Sequence, residues 1–214
     1  MNKYPIITIS REYGCGGREI GRKLAEKLGL PYYDYEKISN IASRDSGYSE
    51  ELFENADKKA SNSLMYSMSL IGTGGPYNMP LNDRLFLIQS GIIRTIADQG
   101  PAVIVGRCAD YVLMDYTKCV NIFLFADIES KIKRVMQRKD VSEKEAAQLA
   151  LVSDKRRATY YNYYSDRRWG KMENYDISVN TSNTDLDSVV DVLTAYVKTT
   201  LGDELTNAKK EAGL

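Results

Sequence analysis

Ser10-Arg11-Glu12-Tyr13-Gly14-Cys15-Gly16-Gly17-Arg18-Glu19 sets glycines between a β-branched run and the start of an amphipathic segment. Glycines at such a junction let several backbone N–H groups turn inward together, and a following helix adds partial positive charge at its start. The chemistry this serves is the cradling of phosphates. Gly14, Cys15, Gly16, Gly17, Arg18 and Glu19 form the candidate phosphate-binding set. A phosphate loop usually ends Gly-Lys-Ser/Thr, and here Gly17 holds the lysine position. Arg18, one residue later, could meet phosphate oxygens bidentately and stand in for the lysine. The alternative is a glycine-rich turn that only reverses the chain.

Arg107 follows an apolar run and Gly106, which permits close approach, and reads as a guanidinium for an acceptor phosphate. Asp34 could order magnesium through water or bind an acceptor's sugar; capping the next helix is the alternative. Lys155, Arg156, Arg157, Arg167 and Arg168 make a dense basic cluster. Arginine clamps neutralise a transferring phosphoryl group, although a charge run is more often a solvated helix face. Tyr160, Tyr161, Tyr163 and Tyr164 could stack on a base, and core packing is expected for at least two of them. Cys15 sits where a helix start can lower a thiol pKa, which would suit a redox switch; a small tolerated residue is the simpler reading.

The chain has no histidine. That removes the commonest general base and every Ser-His or Cys-His nucleophile. Phosphoryl transfer to a phosphate needs neither, because it rests on positioning and charge neutralisation.

These residues need elements to hold them. Ile6–Ile9, Pro31–Tyr33, Ala102–Val105, Val120–Phe125 and Ile177–Val179 read as strands. Arg18–Leu28, Asp83–Gln99, Ile128–Arg138, a segment capped by Ser142 and running to about Tyr164, and Leu186–Leu201 read as helices. Residues 35–70 look helical and irregular by turns. A mobile loop is expected at Gly72–Pro76, and a frayed tail after Gly202. Strands alternating with helices imply an α/β fold with a parallel sheet covered on both faces and its site at the carboxyl ends of the strands.

With 214 residues the chain suits one domain. Lys plus Arg and Asp plus Glu are 29 each, which argues against bulk attraction to nucleic acid or anionic membranes. No run approaches a membrane span. Cys15, Cys108 and Cys119 lack disulfide or zinc spacing, so a reducing, cytoplasmic setting is expected.

Four ordered segments carry a resemblance. They are Ile7-Thr8-Ile9-Ser10-Arg11-Glu12-Tyr13-Gly14 through Ile20, Leu30-Pro31-Tyr32-Tyr33-Asp34, Val103 through Asp110, and Asp154-Lys155 through Tyr164 with Trp169-Gly170, Tyr175-Asp176 and Asn180-Thr181-Ser182. Together they resemble the bacterial cytidylate-kinase-like family over about residues 5–195. The resemblance implies a three-layer P-loop kinase fold with a five-stranded parallel sheet. It implies a core of about 4–34 and 83–201, a nucleoside-monophosphate-binding insertion at about 35–82 and a helical lid at about 150–172. It also implies ATP and magnesium as cofactors and small-molecule nucleotides as partners, with CMP or dCMP as acceptor. Asp34, Arg107, Asp110 and Asp154 would meet the acceptor, Asp34 would serve magnesium, and Arg18, Arg156 and Arg157 would be catalytic. The sequence departs from the family pattern at Gly17, at Tyr35 where Ser is expected, at Cys108 where Asp is expected, and at Ala150-Leu151 where Arg-Asp is expected. Two other readings remain: a non-catalytic nucleotide- or anion-binding module, and a kinase of a non-nucleotide small molecule.

Overall fold

Short runs of β-branched and aliphatic residues become the strands. A computed structural model describes residues 4–53 and 79–214. The strands are β1 (Ile6–Arg11), β2 (Tyr32–Tyr33), β3 (Ala102–Val105), β4 (Cys119–Phe125) and β5 (Ile177–Asn180). They form one five-stranded sheet in the order β2-β3-β1-β4-β5, with every neighbouring pair parallel. The helices are α1 (Gly17–Leu28), α2 (Tyr35–Ser46), α3 (Leu81–Gln99), α4 (Ala109–Val112), α5 (Ile128–Lys139), α6 (Glu143–Ser165) and α7 (Leu186–Ala212).

Both sheet faces are covered, as parallel strands require. Ile7, Ile9, Val103 and Val105 point to one face, against Ile20 and Leu24 of α1 and Val189, Leu193 and Val197 of α7. Ile6 and Ile104, one residue out of phase, point to the other face with Ile92, Ile93 and Ile96 of α3. This alternation follows from the two-residue side-chain period of a strand.

Caps set where helices begin. Asp34, Asp127, Ser142 and Asp185 each accept a bond from the amide three residues on, at 3.2, 2.7, 3.3 and 2.8 Å. An N-cap oxygen satisfies an amide that the helix itself leaves open.

Three expectations need revision. β1 runs two residues beyond Ile9, pairing Ser10 with Phe123 and Arg11 with Leu124, so Arg11 belongs to the strand rather than to the turn. α4 was not foreseen; four residues are too short for a periodicity to register. The last helix does not fray at Gly202 but continues to Ala212. Leu205 and Ala208 are buried there, and Lys209 Nζ donates to the carbonyl of Leu28 at the end of α1 at 2.8 Å. Those contacts outweigh the roughly 1 kcal/mol that a mid-helix glycine costs. The expected loop at Gly72–Pro76 and much of the 35–82 insertion lie outside the described residues.

Candidate active site at the carboxyl end of the sheet

The carboxyl ends of β1 and β3 are adjacent because the strands pair in register, Ile9 against Val105. The glycine-rich turn leaves β1 and enters α1 there. Gly14 and Gly16 both sit at φ +83°, the left-handed region that glycine enters without strain. A Cβ on Gly14 would stand 2.9 Å from the Lys131 carbonyl oxygen, and one on Gly16 would stand 2.8 Å from Leu186 Cδ2. The turn therefore lies flush against α5 and α7. Thr181 Oγ1 donates to the Cys15 carbonyl at 2.8 Å and holds the turn's outer side. Gly16 caps α1 and contributes no side chain, so the first amides of the helix face the site.

The Cys15 side chain is fully buried, and burial pushes its thiol up to about 11. That is opposite to the activated thiol a redox switch needs. Glu19 pairs with Lys23 at 3.1 Å along α1, so its side chain faces away from the turn.

Arg18 does not reach over the loop. Its Nε and Nη2 donate to Asp34 Oδ2, both at 3.0 Å, and Nη2 also pairs with Glu36 at 2.7 Å. Asp34 is buried, caps α2 through the Lys37 amide at 3.2 Å and receives Arg18 on its other oxygen. A magnesium ion would have to displace Arg18 to use that carboxylate. Among the described residues no group of three or more His, Cys, Asp or Glu is placed to hold a metal.

Gly106, Arg107 and Cys108 are three successive left-handed residues, at φ +85°, +57° and +53°. For the two non-glycines this costs of order 1–2 kcal/mol each. Strain of this kind collects where a side chain must be aimed. It aims Arg107 between the rings of Tyr35 and Tyr160, 4.3 and 4.9 Å from their centroids, with Gln89 Oε1 3.5 Å from Nη1.

Asp154 and Arg157 come in on α6. Asp154 Oδ1 accepts from the Tyr13 amide at 2.6 Å, and Oδ2 accepts from Lys131 Nζ at 2.8 Å. Glu12 Oε2 takes a second Lys131 proton at 3.0 Å. Burial opposes the charge on Lys131, but the bonds from Asp154 and Glu12 outweigh it and raise its pKa. Arg157 Nη1 donates to the Arg11 carbonyl at 2.8 Å, and its guanidinium lies 5.5 Å from the Tyr13 ring centroid. Arg156 is half-buried; the guanidinium brought to the turn is that of Arg157.

Asp110 is buried and accepts from Tyr161 Oη at 2.6 Å; burial raises its pKa. Tyr164 stacks on Phe86 at 4.0 Å and donates to Asp83 at 3.1 Å. Tyr161 and Tyr164 are thus packing residues, while Tyr160 faces Arg107 and Tyr163 is exposed.

Sequence reasoning missed three members of this constellation: Arg11, Glu12 and Lys131. Arg11 and Glu12 were read as part of the loop. The available signal was that a charged residue ending a buried strand next to a glycine turn must face the strand ends. Lys131 carried no signal, since one lysine on an amphipathic helix looks like any other.

A five-stranded parallel sheet with a glycine turn between its central strand and α1, overlaid by a helical arm carrying an arginine, defines a P-loop kinase fold. The chain belongs to the cytidylate kinase-like family, whose sequence model matches residues 6–183. An uncharacterized protein from Eubacterium ventriosum is 28% identical, with a TM-score of 0.70 over 91% of this chain and 98% of that one. Shikimate kinase from Bacteroides thetaiotaomicron, 14% identical, has a TM-score of 0.51 over 91% of this chain and 98% of its own. A gluconokinase from Sinorhizobium meliloti, 13% identical, also scores 0.51 over 93% and 94%. These two share the fold. A uronate isomerase from Corynebacterium glutamicum is 28% identical over 102 residues, which is 48% of this chain and 19% of that protein. The chain thus spans about a fifth of that curated relative, whose activity is not carried over. Family and fold support a phosphotransferase of the P-loop type. Among the described residues no helix is long and apolar enough to cross a membrane.

Proposed function

We propose that the protein transfers the terminal phosphoryl group of ATP to a nucleoside monophosphate, with CMP or dCMP the first candidates. The observation that carries this reading is the convergence of Arg11, Arg107 and Arg157 at the strand ends. Burial lowers the pKa of Arg11 and of Arg157, and repulsion adds to it: from Arg157 and Arg107 on Arg11, and from Arg107 on Arg157. Mutual repulsion among guanidiniums in a partly desolvated site is tolerable when an anion is due to occupy it. The turn fits a polyphosphate: its glycines sit where any Cβ would collide, and no side chain caps the start of α1.

ATP supplies the phosphoryl group, and a divalent metal would accompany its phosphates. The amides of residues 14–19 orient the donor phosphates. Arg157, on α6, neutralises charge on the transferring oxygens, with Arg156 beside it at the rim. Arg107, fixed by its left-handed turn, holds the acceptor phosphate, and the Tyr35 and Tyr160 rings flank it. Asp154 orients Lys131 and the turn, and Arg18 holds Asp34 on the acceptor side. No deprotonating base is required, because a phosphate acceptor is already anionic, which agrees with a chain lacking histidine.

A second reading has its own observation. The Tyr13 amide is taken by Asp154 and Gly17 brings no lysine, as suits a module that binds anions without turning them over. A transfer assay with ATP·Mg and a panel of nucleoside monophosphates and non-nucleotide small molecules separates the readings. Turnover with CMP or dCMP is expected, with Arg107→Ala raising the acceptor KM. Binding of ATP without turnover on any acceptor would favour the module.

A further inference from the structure

Gly17 is not a glycine for its backbone. Gly14, Gly16 and Gly106 lie at positive φ, but Gly17 does not; it is the first residue of α1. Space is what excludes a side chain from it. A Cβ there would stand 2.7 Å from both Cβ and Cγ of Arg11. Those atoms are the root of the arginine and cannot swing away as the far end of a flexible chain would.

The Arg11 side chain leaves the end of β1, passes Gly17 and crosses above Gly106. A Cβ on Gly106 would collide with Arg11 Nη1. Two glycines therefore clear the path of one guanidinium. That guanidinium ends beside Gly106, at the carboxyl edge of β3. Among the described residues no carboxylate pairs with it. Its charged neighbours are Arg157 and Arg107, and burial together with those two brings its pKa down to about 9. Placing a cation among cations, without a carboxylate, makes sense as one wall of an anion site.

We infer that Arg11 supplies the positive charge that phosphate loops ordinarily carry at the position of Gly17, so that the missing lysine and the strand-end arginine are two halves of one exchange. The inference rests on the reading of the turn as a polyphosphate site and names the residue that completes it. Arg18, the nearer arginine in sequence, is committed to Asp34 and Glu36 instead. A lysine at 17 and an arginine at 11 exclude each other sterically, so the chain must use one or the other.

The test combines Arg11→Ala and Gly17→Lys with the double variant Arg11→Gly/Gly17→Lys, in which glycine at 11 removes the Cβ as well as the Cγ that a side chain at 17 would strike. Binding of ATP and of inorganic tripolyphosphate is measured by calorimetry, with thermal melting as a control for folding. Arg11→Ala should weaken both ligands about 10- to 100-fold, the range for losing a charge-assisted bond, with melting near that of the wild type. Gly17→Lys alone should lower melting through the clash. The double variant should recover tripolyphosphate binding beyond either single one. If Arg11→Ala does not fold, Arg11→Met keeps the stem and must show the same loss of binding. Wild-type affinity in Arg11→Ala or Arg11→Met overturns the inference while leaving the polyphosphate site standing. So does a Gly17→Lys variant that melts and binds as wild type. A wild-type protein that binds neither ATP nor tripolyphosphate overturns the site itself, and the inference with it.

Discussion

Replacing Lys131 with methionine removes an ammonium from between two carboxylates and keeps most of its packing volume. The Lys131, Glu12 and Asp154 side chains are 10%, 25% and 16% exposed. Removing one partner of a buried pair costs about 3–5 kcal/mol, because the remaining charge stays desolvated and uncompensated. The partial exposure of Glu12 screens its share, so about 3 kcal/mol is expected. At 2–4 °C per kcal/mol for a chain of this size, Tm should fall by roughly 6–12 °C.

The pH dependence separates this cause from a packing defect. In the wild type the pKa of Lys131 is raised above its ordinary 10.5. Its stabilising share is therefore fully present below that value and is lost as pH rises through the higher folded-state pKa. Lys131→Met has no such group, so its deficit relative to the wild type should be steady near neutral pH and shrink as pH rises past the lysine range. Urea unfolding at pH 7.5 and about 11 reads both quantities. A change below about 0.5 kcal/mol, which is ordinary for an exposed site, or a deficit that does not shrink in alkali, would refute the ion-pair account. The consequence for function is mechanical. Asp154 is the carboxylate by which α6 holds both Lys131 and the Tyr13 amide, so loosening it should also raise the KM for ATP.

Other expectations follow from the same geometry. Gly202→Ala fills open space in mid-helix, and should raise stability by about 0.5–1 kcal/mol in urea titration. Asp110 has a raised carboxyl pKa, so the native state holds its proton longer than the unfolded chain and the carboxyl's contribution to stability falls as pH rises through that window. Asp110→Asn still accepts from Tyr161 and carries no charge; its Tm relative to wild type should improve between pH 4 and pH 8. Gly106→Ala places a methyl on the path of Arg11 at a positive φ, so phosphoryl transfer should fall more than melting does.

Much of the scaffold was legible because periodicity reports burial directly. Ala102–Val105 has no polar residue and became a buried strand of the sheet; Ser142 and Glu145 announced the start of α6 and form its cap. α7 was misjudged at Gly202 because propensity is local, while the burial of Leu205 and the reach of Lys209 to α1 are tertiary. The site was legible in its parts and not in its pairings. The turn, Arg107, Asp154 and Arg157 were identified by type and position, and the structure brings them to the same edge of the sheet. Arg18 and Arg11 could not be told apart in sequence, because only the three-dimensional path of each side chain shows that Arg18 is held by Asp34 and Glu36 while Arg11 passes Gly17 and reaches Gly106. Lys131 lies 119 residues from Glu12 along the chain, and no local pattern links them.

The central claim is that this turn and its surrounding arginines grip a polyphosphate. A crystal structure with a non-hydrolysable ATP analogue tests it most directly. The account predicts phosphate oxygens on the amides between Gly14 and Glu19, with the Arg11 and Arg157 guanidiniums in hydrogen-bonding range. An analogue bound elsewhere, with those guanidiniums touching no phosphate, would contradict it.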